Sequence, residues 1–126
     1  PNGEINPIWA DREMVRRSLN NLVENAIRYT PPGKKISLSV ENSDEYCRFI
    51  VEDQGPGIPS DQLPRIFDRF FRSDASRSRQ TSGTGLGLSI VAAIVRAHSG
   101  EVQVESQPGQ GTRFCLSFRT QPVQVY

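Results

Sequence analysis

Three polar residues are spaced so that they share one face of a predicted helix. Asn21, Asn25 and Arg28 stand at positions i, i+4 and i+7, the spacing of side chains on one helical stripe. An asparagine amide can ligate Mg²⁺ through its oxygen and donate to phosphate through its NH₂ group, and arginine pairs with phosphate. A solvated surface is the ordinary explanation of a polar stripe, but such surfaces favour Lys, Glu and Arg over Asn. The stripe therefore indicates a metal and phosphate site, roughly opposite the apolar face of the helix.

A second candidate is a loop rich in glycine that follows an apolar strand. Asp53 begins this loop, and the sequence DQGPGIP runs from there to Pro59. A carboxylate at a strand end can accept hydrogen bonds from an adenine amino group, directly or through water. Glycines let the backbone approach a flat ring closely. An ordinary Asp–Gly turn explains the same residues equally well.

A third candidate is the run GTGLGL from Gly83 to Leu88, which opens the last predicted helix. Backbone N–H groups at a helix N-terminus bind anions when glycine leaves them uncovered. The G-x-G-x-G spacing after a polar loop matches neither the dinucleotide-binding fingerprint nor the P-loop. By itself the run is weak evidence for a phosphate site.

Aromatic and basic residues alternate in the segment FDRFFR, residues 67–72. We expect Phe67 and Phe70 to pack under the adjoining loop. Arg69 and Arg72 lie beside a long polar stretch and are placed to close onto a polyphosphate.

The elements that must position these residues alternate between helices and hairpins. Asp11 is the predicted N-cap of a first helix, and the prolines after Thr30 end it. Its apolar face comprises Val15, Leu19, Leu22, Val23, Ala26 and Ile27. A short helix capped by Ser60 is predicted within 60–71, and a last helix over 86–98 ends near Gly100.

Five strands are predicted, at residues 5–10, 36–41, 46–52, 101–106 and 112–118. In the second of them Ile36, Leu38 and Val40 alternate with serines and are expected to face inward. Together with three helices, this pattern favours an α/β sandwich: a mixed, mostly antiparallel sheet covered on one face by helices.

Length and composition exclude several classes of protein. The chain has 126 residues, which suits one domain, and its 15 basic and 14 acidic residues give a net charge of +1. That balance argues against a dedicated nucleic-acid binder. One histidine and two cysteines cannot supply a Cys/His zinc set or a disulfide scaffold. We expect His98 to be structural and Cys47 and Cys115 to lie in the core. A start at Pro1 without Met suggests a piece of a longer protein.

In their order and spacing these segments resemble the catalytic ATP-binding domain of bacterial sensor histidine kinases, which belongs to the GHKL superfamily with its Bergerat fold. The resemblance covers about residues 5–118. Residues 21–30 (NLVENAIRYT) resemble the N box, 53–58 the G1 box and 67–72 the F box. Residues 83–91 resemble the G2 box, and 109–114 (GQGTRF) the last glycine motif. Five motifs in order are far more specific than any one of them.

The resemblance implies a role for each matching residue. Asn25 would ligate Mg²⁺ with Asn21 ligating or supporting it, and Arg28 stands where the family usually has Lys. Asp53 would read the adenine amino group. The implied nucleotide contacts are Asn21, Asn25, Arg28, Tyr29, Asp53, Gly55, Gly57, Ile58, Gly83, Thr84, Gly85, Leu86, Gly87, Leu88 and Thr112. The implied catalytic residues are Asn21, Arg28, Arg69 and Arg72, and residues 59–84 would form a mobile ATP lid.

One position separates the subfamilies of this superfamily. Members that hydrolyse ATP resemble one another in carrying Glu four residues before the metal-binding Asn, as a base for water. Asn21 occupies that position here, which favours transfer to a histidine, because an imidazole needs no added base. Three alternatives stay open: a related ATPase, an anti-sigma serine kinase and an interaction module that no longer binds nucleotide.

The resemblance also implies what the chain needs from outside. The family's phosphoacceptor histidine lies on a separate helical dimerisation domain, and no matching motif occurs in this sequence. The domain is therefore expected to bind ATP and Mg²⁺ as a monomer and to need that domain for phosphotransfer, with a response regulator as an indirect partner. Because the family is usually anchored in the inner membrane, a cytoplasmic location is expected for this part.

Overall fold

The computed structural model describes residues 11–68 and 87–120. These contain two α-helices, four strands and one short 3₁₀ turn. The elements are α1 (Arg12–Tyr29), β1 (Ile36–Asn42), β2 (Tyr46–Asp53), α2 (Gly87–Ala97), β3 (Glu101–Ser106) and β4 (Thr112–Arg119). The strands form one antiparallel sheet in the order β1-β2-β4-β3. The predicted α/β architecture is confirmed. The first predicted strand, residues 5–10, lies outside the described residues.

Helix α1 begins and ends where the sequence predicts. The Asp11 carboxylate accepts hydrogen bonds from the backbone N–H groups of Glu13 and Met14, at 2.9 and 3.3 Å. At the other end Thr30 is extended, with φ −91° and ψ 122°, because a residue before proline avoids the helical conformation. The helix therefore delivers Tyr29 to the start of the following loop.

Two expectations about the faces of α1 are wrong. Ile27 was assigned to the apolar face, yet 61% of it is exposed, since it lies about 120° around the helix from Val15. Asn21 and Asn25 were placed roughly opposite that face, but both are half-buried. The buried side chains of Ser18 and Leu22 adjoin one side of this stripe, so the asparagines border the core on that side.

The alternation in β1 is right, but the expected burial is wrong. Leu38 pairs with the buried Val51, so the apolar side chains of β1 lie on the helix-facing side of the sheet. Nevertheless 52% of Leu38 is exposed, with 36% of Ile36 and 37% of Val40. Helix α1 packs over β2 and helix α2 over β3 and β4, so neither covers this edge strand.

The core lies between the two helices and the centre of the sheet. It is built from Leu22 and Ala26 of α1, Val91 and Val95 of α2, and Val51, Phe114, Leu116 and Phe118 of the sheet. Each of these side chains is at most 2% exposed. At about 25 cal/mol per Å² of buried apolar surface, this contact is the main force that holds the helices against the sheet.

Helix α2 ends at a residue other than the expected glycine. Ser99, with φ +57°, takes the left-handed conformation that closes the helix. Gly100 is needed for another reason, since a Cβ there would lie 2.1 Å from the Ser117 carbonyl oxygen. His98 joins the two helices: its Nδ1 lies 2.7 Å from the Ile94 carbonyl and its Nε2 accepts from the Asp11 N–H at 3.2 Å.

The helix predicted within 60–71 is wrong for the part that the structure describes. Only a 3₁₀ turn, Leu63–Arg65, is present there, and its N-cap Gln62 makes no capping bond through its side chain. The next two residues enter the core. Ile66 is 4% exposed, and the Phe67 ring packs edge-on against Phe114 with centroids 6.1 Å apart. The predicted anchoring by Phe67 is therefore present, while Phe70 lies outside the described residues.

Both cysteines are free and buried, as expected for small core residues. Burial raises the pKa of the Cys47 thiol, which keeps it protonated at neutral pH. No helix within 11–68 or 87–120 has the length and apolar character to cross a membrane.

Candidate functional site

Asp53 lies at the end of β2, where two backbone N–H groups converge on its side chain. Oδ1 accepts from the Gly55 N–H at 2.8 Å, and the carboxylate also accepts from the backbone N–H of Thr112. Burial raises the pKa of this carboxyl above its ordinary value, and the two hydrogen bonds oppose that rise. The chain thus holds a half-buried acceptor at the end of a central strand of the sheet.

Gly55 brings the end of α1 against this carboxylate. A Cβ on Gly55 would lie 3.0 Å from the Tyr29 carbonyl oxygen and 2.9 Å from Asp53 Oδ1. A larger residue would therefore push the loop away from both groups. The structure brings together Tyr29, Asp53 and Gly55, which the sequence placed in two separate motifs.

The Asp53–Ile58 loop and the β3–β4 turn, residues 107–111, are interlocked through glycines. A Cβ on Gly57 would lie 2.1 Å from the Gln107 carbonyl oxygen, and one on Gly111 would lie 2.0 Å from the Asp53 carbonyl oxygen. Both glycines have positive φ, at +79° and +81°. A backbone bond joins the two segments as well, from the Gly109 N–H to the Pro56 carbonyl at 2.7 Å. These close approaches are made between two segments of the protein itself. The approach to a ligand suggested for the glycines of the Asp53–Ile58 loop stays a prediction.

Ser106 is the residue of this region that the sequence analysis missed. Its Oγ accepts from the Ile58 N–H at 2.7 Å and lies 2.9 Å from both the Gly111 carbonyl and Thr112 Oγ1. A serine at the end of a predicted strand carries no signal in sequence. Only the antiparallel register, with Ser106 opposite Thr112, shows that it meets the loop after β2.

Gln54 fixes the other side of the same loop. Its Oε1 accepts from the Lys35 N–H at 2.9 Å, and its own N–H donates to the Lys35 carbonyl at 3.1 Å. The loop that carries Asp53 is therefore held on one side by Lys35, the residue before β1, and on the other by the β3–β4 turn.

The asparagine stripe of α1 faces the start of α2. Asn21 Nδ2 donates to the Gly87 carbonyl across 3.5 Å, a long and weak bond. A Cβ built on Gly87 meets no atom of the described residues within 4 Å, so none of these residues fills the space beside it. Asn25 and Arg28 continue the stripe one and two turns on, both half-buried. The two motifs are thus neighbours in the fold, as the prediction of a shared site requires.

Several predicted site residues lie outside the described residues. These are Arg69 and Arg72, and the first four residues of the glycine run: Gly83, Thr84, Gly85 and Leu86. Of that run, Gly87 and Leu88 are described, and both are half-buried in the first turn of α2.

A cavity of about 480 Å³ opens between Asp53, Leu63 and the β3–β4 turn. Ser106 and Thr112 line it, but no residue of α1 does. The cavity therefore lies at the Asp53 end of the candidate site, and neither Asn21 nor Asn25 lines it.

The donor chemistry of the described residues suits an oxygen-ligated cation better than zinc. No cluster of three or more His, Cys, Asp or Glu side chains exists within 11–68 and 87–120. The amide oxygens of Asn21 and Asn25 are hard neutral ligands, which suit Mg²⁺ that keeps water and phosphate oxygens around it. A magnesium ion shared with a bound phosphate fits such a donor set.

Comparison with known proteins gives the family. Residues 10–122 match the family described as histidine kinase-, DNA gyrase B- and HSP90-like ATPases. The chain belongs to this family. The matched residues include every described helix and strand.

Curated relatives of this chain are sensor kinases. It is 47% identical over 110 residues to "Probable sensor kinase SilS" of Salmonella typhimurium, which covers 87% of this chain and 22% of the relative. It is 45% identical over 115 residues to "Sensor histidine kinase CusS" of Escherichia coli K12, covering 91% of this chain and 24% of the relative. The chain thus spans about a quarter of the length of these relatives.

Solved structures show the same fold in histidine kinases. The "Mycobacterial sensor histidine kinase MprB" superposes with a TM-score of 0.80 at 32% identity, over 92% of this chain and 78% of that one. Full-length ShkA in complex with AMPPNP gives 0.77 at 34% identity, over 92% and 24%. The chain thus has the fold of these solved histidine kinases.

Proposed function

We propose that this chain binds ATP with Mg²⁺ and donates the γ-phosphoryl group to a histidine on a separate helical domain. The observation that carries the proposal is the Asp53 carboxylate, held half-buried by the N–H groups of Gly55 and Thr112. An ionised carboxylate in this place can only accept hydrogen bonds. It therefore selects a ligand with N–H donors, such as the amino group of adenine.

The phosphate end of the ligand belongs beside α1 and the start of α2. Asn21 contacts the Gly87 carbonyl, and within the described residues no atom lies within 4 Å of a Cβ built on Gly87, so none of them blocks an anion there. Asn21 and Asn25 are the proposed Mg²⁺ ligands, and the ion would neutralise charge on the phosphate oxygens. Arg28 follows on the same stripe as a phosphate partner, with Tyr29 beside the base.

The proposed reaction forms a bond from an imidazole nitrogen to the γ-phosphorus of ATP. It breaks the bond from that phosphorus to the β,γ-bridging oxygen, which leaves as part of ADP. ADP leaves, and the imidazole proton goes to solvent. The protein contributes chiefly positioning and neutralisation of charge. Arg69 and Arg72 are proposed to stabilise the transferring group. An amide at Asn21 cannot accept a proton from water, so hydrolysis of ATP stays slow.

The partners follow from this reaction. A helical phosphoacceptor domain supplies the histidine, and a response regulator receives the phosphoryl group from it. We propose that the chain acts as the cytoplasmic part of a membrane-anchored sensor kinase and is itself monomeric.

The test is a phosphotransfer assay with two proteins. This chain is mixed with ATP labelled at the γ-phosphate and with a separately produced phosphoacceptor domain from a sensor kinase. We expect acid-labile, alkali-stable label on the acceptor and none when its histidine is replaced by alanine. The same assay with Asp53→Asn should lose the label, whereas Asp44→Asn, at the exposed β1–β2 turn, should keep it.

Two results would overturn the proposal. Release of free phosphate by this chain alone, at the rate of an ATPase, would support the hydrolytic alternative. Failure to bind any adenine nucleotide would support an interaction module.

A further inference from the structure

Ser106 lies at the centre of a hydrogen-bond network behind the predicted base pocket. Its Oγ is 2.7 Å from the backbone nitrogen of Ile58, 2.9 Å from the Gly111 carbonyl oxygen and 2.9 Å from Thr112 Oγ1. One hydroxyl group thus contacts the Asp53–Ile58 loop, the β3–β4 turn and the first residue of β4.

The chemistry of the partners fixes which atom donates in each contact. The Ile58 N–H can only donate, and the Gly111 carbonyl can only accept. A serine hydroxyl has one proton and two lone pairs, so its proton goes to Gly111 and one lone pair receives Ile58. The remaining lone pair must receive the proton of Thr112. This is the one arrangement in which all three contacts are hydrogen bonds.

The arrangement leaves Thr112 as an acceptor on its remaining sides. Its proton points to Ser106, so only oxygen lone pairs face other groups. Thr112 pairs directly with Asp53 in the sheet register, and both side chains lie on the same face. Its backbone N–H also bonds to the Asp53 carboxylate. Two acceptors, a carboxylate and a hydroxyl oxygen, therefore stand side by side.

We propose that Ser106 is a positioning residue that sets the base specificity of this site. By holding the Thr112 proton, it makes the site complementary to a purine with an amino group and repulsive to one with a carbonyl in the same place. Adenine and hypoxanthine have nearly the same shape but differ in this group and at the neighbouring N1, which is a bare acceptor in adenine and carries a proton in hypoxanthine. We place the C6 substituent, rather than N1, against Asp53 and Thr112. The inference rests on the proposed nucleotide binding and deepens it, because it adds a second acceptor, Thr112, to the selection of N–H donors by the Asp53 carboxylate.

The experiment compares ADP with inosine diphosphate, in calorimetric titrations of this chain with Mg²⁺. The wild type should prefer ADP. In Ser106→Ala the Thr112 hydroxyl is free to turn and donate to a carbonyl. The preference should then fall by about tenfold, the value of one hydrogen bond. Ser106→Thr keeps the hydroxyl and should keep the preference, and Ser39→Ala, on an exposed part of β1, is the matched control.

The ratio of the two affinities distinguishes positioning from a purely structural role. If Ser106 only stabilises the loop, its replacement would weaken the binding of ADP and of inosine diphosphate alike. The ratio of their affinities would then stay unchanged, which would overturn the inference. If Ser106→Ala binds neither ligand, Ser106→Cys is measured instead, since a thiol fills the space but bonds weakly. An unchanged ratio there, or folded variants that bind neither ligand, would make Ser106 structural. A wild type that binds neither diphosphate would instead contradict the proposed function.

Discussion

Gly109 and Gly111 lie in the same β3–β4 turn with nearly the same φ, +79° and +81°, but in different surroundings. A Cβ on Gly109 meets no described atom within 4 Å, whereas one on Gly111 would lie 2.0 Å from the Asp53 carbonyl oxygen and 3.1 Å from its carbon. Real Cβ atoms do not approach a backbone carbonyl so closely, so the turn and the end of β2 must separate. The variants Gly109→Ala and Gly111→Ala should therefore differ chiefly in this clash.

The magnitudes follow from these two terms. A left-handed conformation costs an alanine about 1 kcal/mol relative to glycine, which we expect for Gly109→Ala. Gly111→Ala adds displacement of packed backbone, about 2 kcal/mol more by analogy with overpacking. For a domain of this size each kcal/mol lowers the Tm by roughly 4 °C. The expected losses of Tm are therefore about 4 °C and about 12 °C.

The assay is thermal unfolding followed by circular dichroism, with nucleotide affinity measured on the same samples. Gly111→Ala should also weaken ADP binding, because Asp53 moves with the end of β2, while Gly109→Ala should bind normally. Equal losses of stability in the two variants would refute the reasoning, since the clash would then contribute nothing.

Three further outcomes are expected. Asn25→Ala should weaken nucleotide binding in Mg²⁺ far more than in EDTA, whereas Asn20→Ala, exposed on the same helix, should change neither; equal loss in both conditions would contradict a role in binding the metal. Burial raises the folded pKa of Asp53 above its ordinary value of 3.8, so ionisation costs stability as the pH rises from below that value to neutrality. The free energy of unfolding of Asp53→Asn, measured in urea, should therefore increase relative to that of the wild type as the pH rises to neutrality. A decrease relative to the wild type would contradict the raised pKa. Asp11→Ala removes the N-cap of α1 and should cost about 1 kcal/mol in the same assay; an unchanged midpoint would show that the cap is dispensable.

The elements were predictable because local chemistry decides them. The bounds of α1 follow from a capping aspartate and a pair of prolines, and β3 was placed at its exact residues, 101–106. Both signals act within a few residues of the chain, where periodicity and turn chemistry are informative.

Burial on β1 and α1 was not predictable, because it depends on which element covers each face. The pattern of β1 resembles that of any half-buried strand, and only the placement of α1 over β2 shows why Leu38 stays exposed. Ile27 is a different case, because its position about 120° around the helix from Val15 already placed it at the margin of the apolar face.

The site was predictable as a set of motifs but not as a network. Asp53 was assigned to the adenine amino group and Thr112 to the nucleotide, yet their direct pairing across the sheet depends on strand register. Ser106 acts only through that register, so neither composition nor spacing marks it. Gly57 was expected to lie near a ligand, and this stays a prediction. The requirement for glycine at both 57 and 111 follows from contact between two protein segments.

The central claim is that Asp53 and the asparagine stripe together form an ATP–Mg²⁺ site. It is tested most directly by calorimetric titration of this chain with a non-hydrolysable ATP analogue, with and without Mg²⁺. The account predicts saturable 1:1 binding that Mg²⁺ strengthens and that Asp53→Asn abolishes. Absence of binding in both conditions, or binding that neither Mg²⁺ nor Asp53→Asn affects, would contradict it.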